Sequence, residues 1–240
     1  MFIFKNKRIF SVLYFSILLL DIILKLNIDT ISFRLITKPF LMISLLVYYI
    51  INHKEKSKNK FLFMIIALSL FLVGDILFIF KNISVLFTLG MFSFVLGKLF
   101  FAFKFSNQND FKLIKLFPIL SFCFIYILII LNIVYDKLEG YFFPVLFYLF
   151  VAMLVLQFAY LRKSEVDRKS YLIVGLGVLF SVFSDSISVL HVFYSEGIFY
   201  EKVTVILLYG ISQYLIVTGI VSEKIIKKNK NLYEDNILEI

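Results

Sequence analysis

The chain has 240 residues, of which 61% are hydrophobic, 19% aromatic and 17% charged, with a mean hydropathy of +0.96. That composition excludes an ordinary soluble globular domain and fits a polytopic membrane protein. The formal charge of +9 comes from short basic clusters between apolar runs, a pattern explained by the positive-inside rule rather than by nucleic-acid binding.

Lys5, Lys7 and Arg8 precede the first predicted span, Ile9 to Leu26. No small-residue cleavage site follows it, so it is read as an uncleaved span and not a signal peptide. Asp21 and Lys25 are four residues apart within it, hence on one helix face, where they can pair locally. The second span is expected from about Ile36 to Asn52, with Thr37, Lys38 and Pro39 in its first turn, where a proline's missing N–H costs nothing. Lys38 would then project from a helix N-terminus, a place that favours an anion such as a headgroup phosphate. The alternative is a lysine that merely snorkels to the interface.

The third span, Phe61 to Phe80, is nearly unbroken hydrocarbon, yet Gly74 and Asp75 lie well inside it. An acid near mid-helix costs roughly 2.5 to 3.5 kcal/mol to insert, so it should face a bundle interior or a wet cavity. Lys81 and Asn82 make a short turn, which predicts that the fourth span, Ile83 to Phe103, returns antiparallel beside the third. Gly90, Ser93 and Gly97 form a small-residue stripe on it, read as packing. Lys98 lies about six residues from the span's end, within reach of snorkelling.

The fifth span, Leu116 to Tyr135, and the sixth, Tyr141 to Leu161, carry Tyr126, Asn132, Tyr148 and Gln157, and no chemistry is read in either. Cys123 in the fifth has no intrachain disulfide partner. The seventh span, Tyr171 to about Tyr194, differs: Gly177, Ser181, Ser184, Ser188 and His191 recur at three-and-four spacing beside Asp185, giving one polar face suited to a wet cavity wall. In the eighth, Lys202 to Ser222, Tyr209 and Gln213 are four apart on one face. His53 and His191 are the two imidazoles in the chain. A catalytic zinc site usually takes three protein ligands, so no metal is expected.

The N-terminus, the second, fourth and sixth connections and the tail hold most of the 25 Lys and Arg residues. The expected fold is therefore an all-α bundle of eight transmembrane helices with both termini cytoplasmic, residues 1–222 forming one domain and 223–240 a basic cytoplasmic tail. At about 1.5 Å per residue, Asp21, Asp75 and Asp185 fall about two-thirds of the way out, in one layer with Lys38, Tyr209 and Gln213. Polar groups from five helices at one depth imply a pocket opening toward the extracytoplasmic leaflet.

Lys38-Pro39, the LVGDILF run with Gly74 and Asp75, the following LGMFSFVLGKLFF, the SDS at Ser184 to Ser186, and YGISQYL with Tyr209 and Gln213 together give a resemblance. In this order on an eight-span plan, they make the chain resemble the YhhN family of integral membrane proteins, which includes lysoplasmalogenases. Lys98 departs from the family pattern, which often shows His there.

The resemblance implies hydrolysis of the vinyl ether of a lysoplasmalogen to a fatty aldehyde and a glycerophospho-alcohol. Asp75 and Asp185 would serve as the acid and carboxylate pair. Lys38, Tyr209, Gln213 and Ser184 would bind substrate, and Asp21 and Ser188 would be accessory. No cofactor is needed, the partner is a lysophospholipid in the cell membrane, and no nucleic acid or obligate protein partner is expected. A second reading is a proton- or cation-coupled carrier of lipid or small solute, against which stands the lack of an evident inverted repeat. A third is a non-catalytic scaffold with buried ion pairs.

Overall fold

A computed structural model describes residues 2–27, 31–80, 82–106, 113–194 and 201–224. Within them the chain is all-α, with eight long helices: Lys7–Asn27, Ile31–Asn52, Lys58–Leu77, Ser84–Phe105, Leu113–Val134, Phe142–Leu161, Arg168–Phe193 and Glu201–Val221. Each is long and apolar enough to cross a membrane, and they are called spans one to eight below. This is a multi-pass membrane protein. An apolar run in lipid must satisfy its own backbone, which the helix does and an isolated strand does not. Lys81 of the third connection and the tail from residue 225 onward lie outside the described residues.

Starts are fixed by side chains where the sequence supplies them. Ser57 Oγ accepts from the Lys60 N–H at 3.4 Å before span three, and Asp167 caps span seven by accepting from the Ser170 N–H at 3.3 Å, each satisfying a backbone donor that the helix leaves open. Span two corrects the expectation drawn from its proline. The helix begins at Ile31, so Pro39 lies inside it and Lys38 is not at its N-terminus. The helical run Ile31 to Ile36 continues through the proline, as transmembrane helices allow when neighbouring groups compensate the lost backbone bond.

Spans one, two, three, four, six, seven and eight touch in succession and close a ring, eight meeting one. Span five packs outside it, against six and seven. The lipid-facing surface is apolar, with Phe117, Phe143 and Val12 among the most exposed side chains. Tyr and Phe fill the interior near the N-terminus, where Phe10 stacks on Tyr48 with ring centroids 4.0 Å apart.

Two antiparallel pairs are especially close. Span four meets span three through the expected stripe: Ser93 Oγ donates to the Leu70 carbonyl at 2.7 Å, and a Cβ on Gly97 would lie 3.3 Å from the Ala67 carbonyl oxygen. Spans seven and eight approach through Gly177 and Gly219. A Cβ on Gly177 would sit 3.0 Å from the Ile216 backbone nitrogen, an atom that cannot swing aside. Small residues are what permit such approach in lipid. Gly177→Ala should therefore lower stability by about 1–3 kcal/mol, the usual cost of overpacking. Gly175→Ala, where an added Cβ meets nothing within 4 Å, should be neutral. Melting both variants in detergent tests this, and equal midpoints would refute the close contact.

At the end of the bundle carrying the N-terminus, Lys104 pairs with Glu55 and lies 3.7 Å from Glu223, which Arg162 also holds at 3.0 Å. Asp167 and Lys224 exchange backbone contacts beside them, the Lys224 N–H donating to Asp167 Oδ1 at 2.8 Å. These groups lock the connections at that end, leaving the opposite end to open the cavity described next.

Candidate functional site

Burying one carboxylate requires a counter-charge and hydrogen-bond donors nearby, and both central acids have them. Asp75 on span three has Lys38 Nζ of span two 2.9 Å from its Oδ1, while Tyr209 of span eight donates to its Oδ2 at 2.9 Å. The lysine contact is a charge contact without hydrogen-bond alignment on that oxygen, because the ammonium also leans to the Asp75 backbone carbonyl at 3.5 Å. Asp185 on span seven receives Lys98 Nζ of span four on Oδ2 at 2.7 Å and the Tyr148 hydroxyl of span six on Oδ1 at 2.5 Å. Lys98 also donates to Ser181 Oγ at 3.1 Å.

The site thus contains the same trio twice, aspartate with lysine and tyrosine, assembled from six spans. In each trio one donor comes from a helix next to the acid's own in the ring, span two for Asp75 and span six for Asp185. The other comes from a helix that is not its neighbour, span eight for Asp75 and span four for Asp185. The trios differ in tightness: the Lys38 side chain is 15% exposed against 5% for Lys98.

Five of these six side chains, all but Lys98, line one cavity of about 420 Å³. Asp75, Tyr209, Tyr148, Asp185, Ser184 and Ser188 line its inner part. Lys25, Arg34, Asn82 and His191 line it toward the end of the bundle opposite the N-terminus, and Phe78, Phe87, Met91 and Phe94 give it an apolar wall. Asp21 also lines it and is fully buried, with Thr37 of span two donating to its Oδ1 at 2.6 Å. The bond to Asp21 that the structure shows thus runs between spans one and two, to a partner not expected from the sequence.

The residues singled out from sequence fare differently. Asp75, Asp185, Lys38, Tyr209, Ser184, Asp21 and Ser188 all line the cavity. Ser184 Oγ donates to the Val205 carbonyl at 3.1 Å, so a lone pair remains for a ligand or water. Gln213 is buried one turn beyond Tyr209 but is not among the lining residues, and its Oε1 has no hydrogen-bond partner among the described residues. Lys98 corrects the snorkelling expectation: it is 4% exposed and turned inward onto Asp185. Tyr148, read as without chemistry, completes that trio. The available signal was charge balance, since a second buried acid needs a second cation and Lys98 is the lysine inside a span on the returning helix.

Among the described residues no group of three His, Cys, Asp or Glu side chains could hold a metal ion. No curated protein and no solved structure matches the chain. The sequence model of the YhhN family matches residues 33–220. That stretch runs from just before Lys38 to just past Tyr209 and takes in every member of both trios, and on that match the chain belongs to the YhhN family.

Proposed function

We propose that the protein is a membrane hydrolase that cleaves the vinyl ether of lysoplasmalogens, releasing a fatty aldehyde and a glycerophospho-alcohol. The observation that carries this reading is the pair of aspartate–lysine–tyrosine trios on one cavity with an apolar wall. Vinyl ether hydrolysis needs a proton delivered to carbon and an anion beside the cation that results, and two separately supported carboxyl groups offer both.

In this mechanism Asp75 delivers its proton to the alkenyl carbon remote from the ether oxygen, and the positive charge passes to an oxocarbenium ion. The Asp185 carboxylate, its two oxygens fixed by Lys98 and Tyr148, faces that cation without needing to reorganise. Water oriented by Ser184 and Ser188 adds to the oxocarbenium carbon and gives up a proton to a carboxylate. The hemiacetal then breaks its bond to the glycerol oxygen, which takes the proton given up by the hemiacetal hydroxyl and leaves as the alcohol, while the other fragment leaves as the aldehyde. Asp75 suits the donor's part because its lysine is the less enclosed one and lines the cavity. Lys38 then serves the ionisation of Asp75 rather than substrate phosphate.

Purified protein in detergent should release aldehyde from an alkenyl lysophospholipid and none from the saturated alkyl ether, which cannot be protonated on carbon. Movement of the alkenyl lipid across liposomes with no aldehyde formed would replace this reading by the carrier.

A further inference from the structure

The two closely packed pairs, spans three with four and spans seven with eight, are each fastened along their length. In the first, Ser93 holds the Leu70 carbonyl and Gly97 lies against Ala67. In the second, Ser170 Oγ donates to the Gly219 carbonyl at 2.8 Å, Ser184 Oγ donates to the Val205 carbonyl at 3.1 Å, and Gly177 lies against Ile216. Close approach reinforced by hydrogen bonds makes each pair one rigid piece. In the ring the two pairs are not neighbours: span six separates them on one side, and spans one and two on the other. The cavity lies between them and is lined from both.

Three polar bridges cross from one pair to the other. Tyr209 of span eight reaches Asp75 of span three at 2.9 Å, and Lys98 of span four reaches Asp185 of span seven at 2.7 Å. The third lies outside the trios, at the end carrying the N-terminus, where Lys104 of span four stands 3.7 Å from Glu223, just past span eight. Arg162, directly after span six, holds the same Glu223 at 3.0 Å with its guanidinium 5.0 Å over the Phe105 ring of span four. Glu55, in the connection after span two, pairs with Lys104. Side-chain exposure is 2% for Lys104, 4% for Arg162, 11% for Glu55 and 14% for Glu223. An ion pair so enclosed adds little stability over an apolar filling, and its best-attested use is to fix register. Spans two, four, six and eight each bring one donor to a trio, and each runs into this cluster.

We propose that Lys104, Glu223, Arg162 and Glu55 form a clasp that sets the spacing of the two rigid pairs across the cavity and so positions both trios. None of the four lines the cavity; they are positioning residues that act through the helices. With the clasp closed, Tyr209 and Lys98 meet acids on the opposite pair in one register. With it open, the pairs splay and the Tyr209–Asp75 and Lys98–Asp185 bridges lengthen together.

Spin-label distances in the full chain test this, in a Cys123→Ser background that removes the chain's one cysteine. Labels at Val85→Cys of span four and Leu207→Cys of span eight, both exposed and outside the cavity lining, read the spacing across the cavity. Labels at Val85→Cys and Leu62→Cys of span three read the inside of one rigid pair. Glu223→Gln should lengthen the first distance by about 2 Å or more and leave the second unchanged. That variant strands a buried cation and lowers folded yield, whereas Lys104→Met with Glu223→Gln removes one charge of each sign and should show the same lengthening at near wild-type yield. An unchanged first distance in both variants makes the cluster a local staple of the connections, and equal changes in both distances make it a general stabiliser; either overturns the clasp. Turnover is a second readout, and that arm rests on the hydrolase reading. Misplaced trios should lower kcat about tenfold or more with KM changed less, and an unaltered kcat at the longer spacing overturns the positioning role. A wild type that releases no aldehyde sinks the hydrolase reading and leaves the spacing to decide the clasp.

Discussion

Asp75→Asn and Asp185→Asn are each expected to lower aldehyde release per folded molecule by a factor on the order of 100 or more, because each removes a group that gives, takes or faces the charge of the transferred proton. The two variants should part company in folded yield. Asn at 75 leaves Lys38 with a 15% exposed side chain on the cavity wall, where the ammonium can turn toward water or substrate, so yield should change little. Asn at 185 leaves the enclosed Lys98 ammonium without its counter-charge, so yield should fall with activity. The double variant should be barely less active than the worse single one, since groups acting as a unit are not additive. Monodisperse yield measured beside turnover separates the two effects. Full turnover in either single variant would remove that residue from the mechanism.

Much of the fold was legible because lipid imposes strong rules. A run of about 20 apolar residues has one way to satisfy its backbone, and the short third connection forces spans three and four together. The stripe Gly90, Ser93, Gly97 announced their contact, which Ser93 and the Leu70 carbonyl make. Local rules failed where two of them competed. Pro39 reads as a helix start, but the helical run ahead of it extends the helix to Ile31, and with that Lys38 loses its place at an N-terminus.

The acids were legible because an intramembrane carboxyl is conspicuous, and Lys38 and Tyr209 fell in their layer, whereas Lys98 and Tyr148 were not recognised as partners. A lysine near a span's end and a tyrosine in an apolar helix each have an ordinary interfacial explanation. Whether Lys98 snorkels or turns inward depends on what stands opposite it, and the order of helices around the ring is not written in any one span. Tyr148 reaches Asp185 because span six, not span five, lies between four and seven.

Lys98→Met gives the sharpest distinction between these two fates of a lysine. If the ammonium ran to the interface, replacing it with a side chain of similar length and no charge would be nearly silent. In the structure Lys98 is 4% exposed and its Nζ lies 2.7 Å from Asp185 Oδ2. The variant therefore strands a carboxylate that keeps the Tyr148 hydroxyl but has lost its cation. Removing one member of a buried pair typically costs about 3–5 kcal/mol, a large share of the net stability of a folded protein, so folded yield should drop sharply and activity with it. Combining Lys98→Met with Asp185→Asn removes both charges at once and should restore much of the yield, while turnover stays low because the carboxylate facing the cation is gone. Yield restored without activity assigns Lys98 to balancing the charge of Asp185 and holding it in place. Normal yield in Lys98→Met alone would refute the buried pair, and activity regained in the double variant would take Asp185 out of the chemistry.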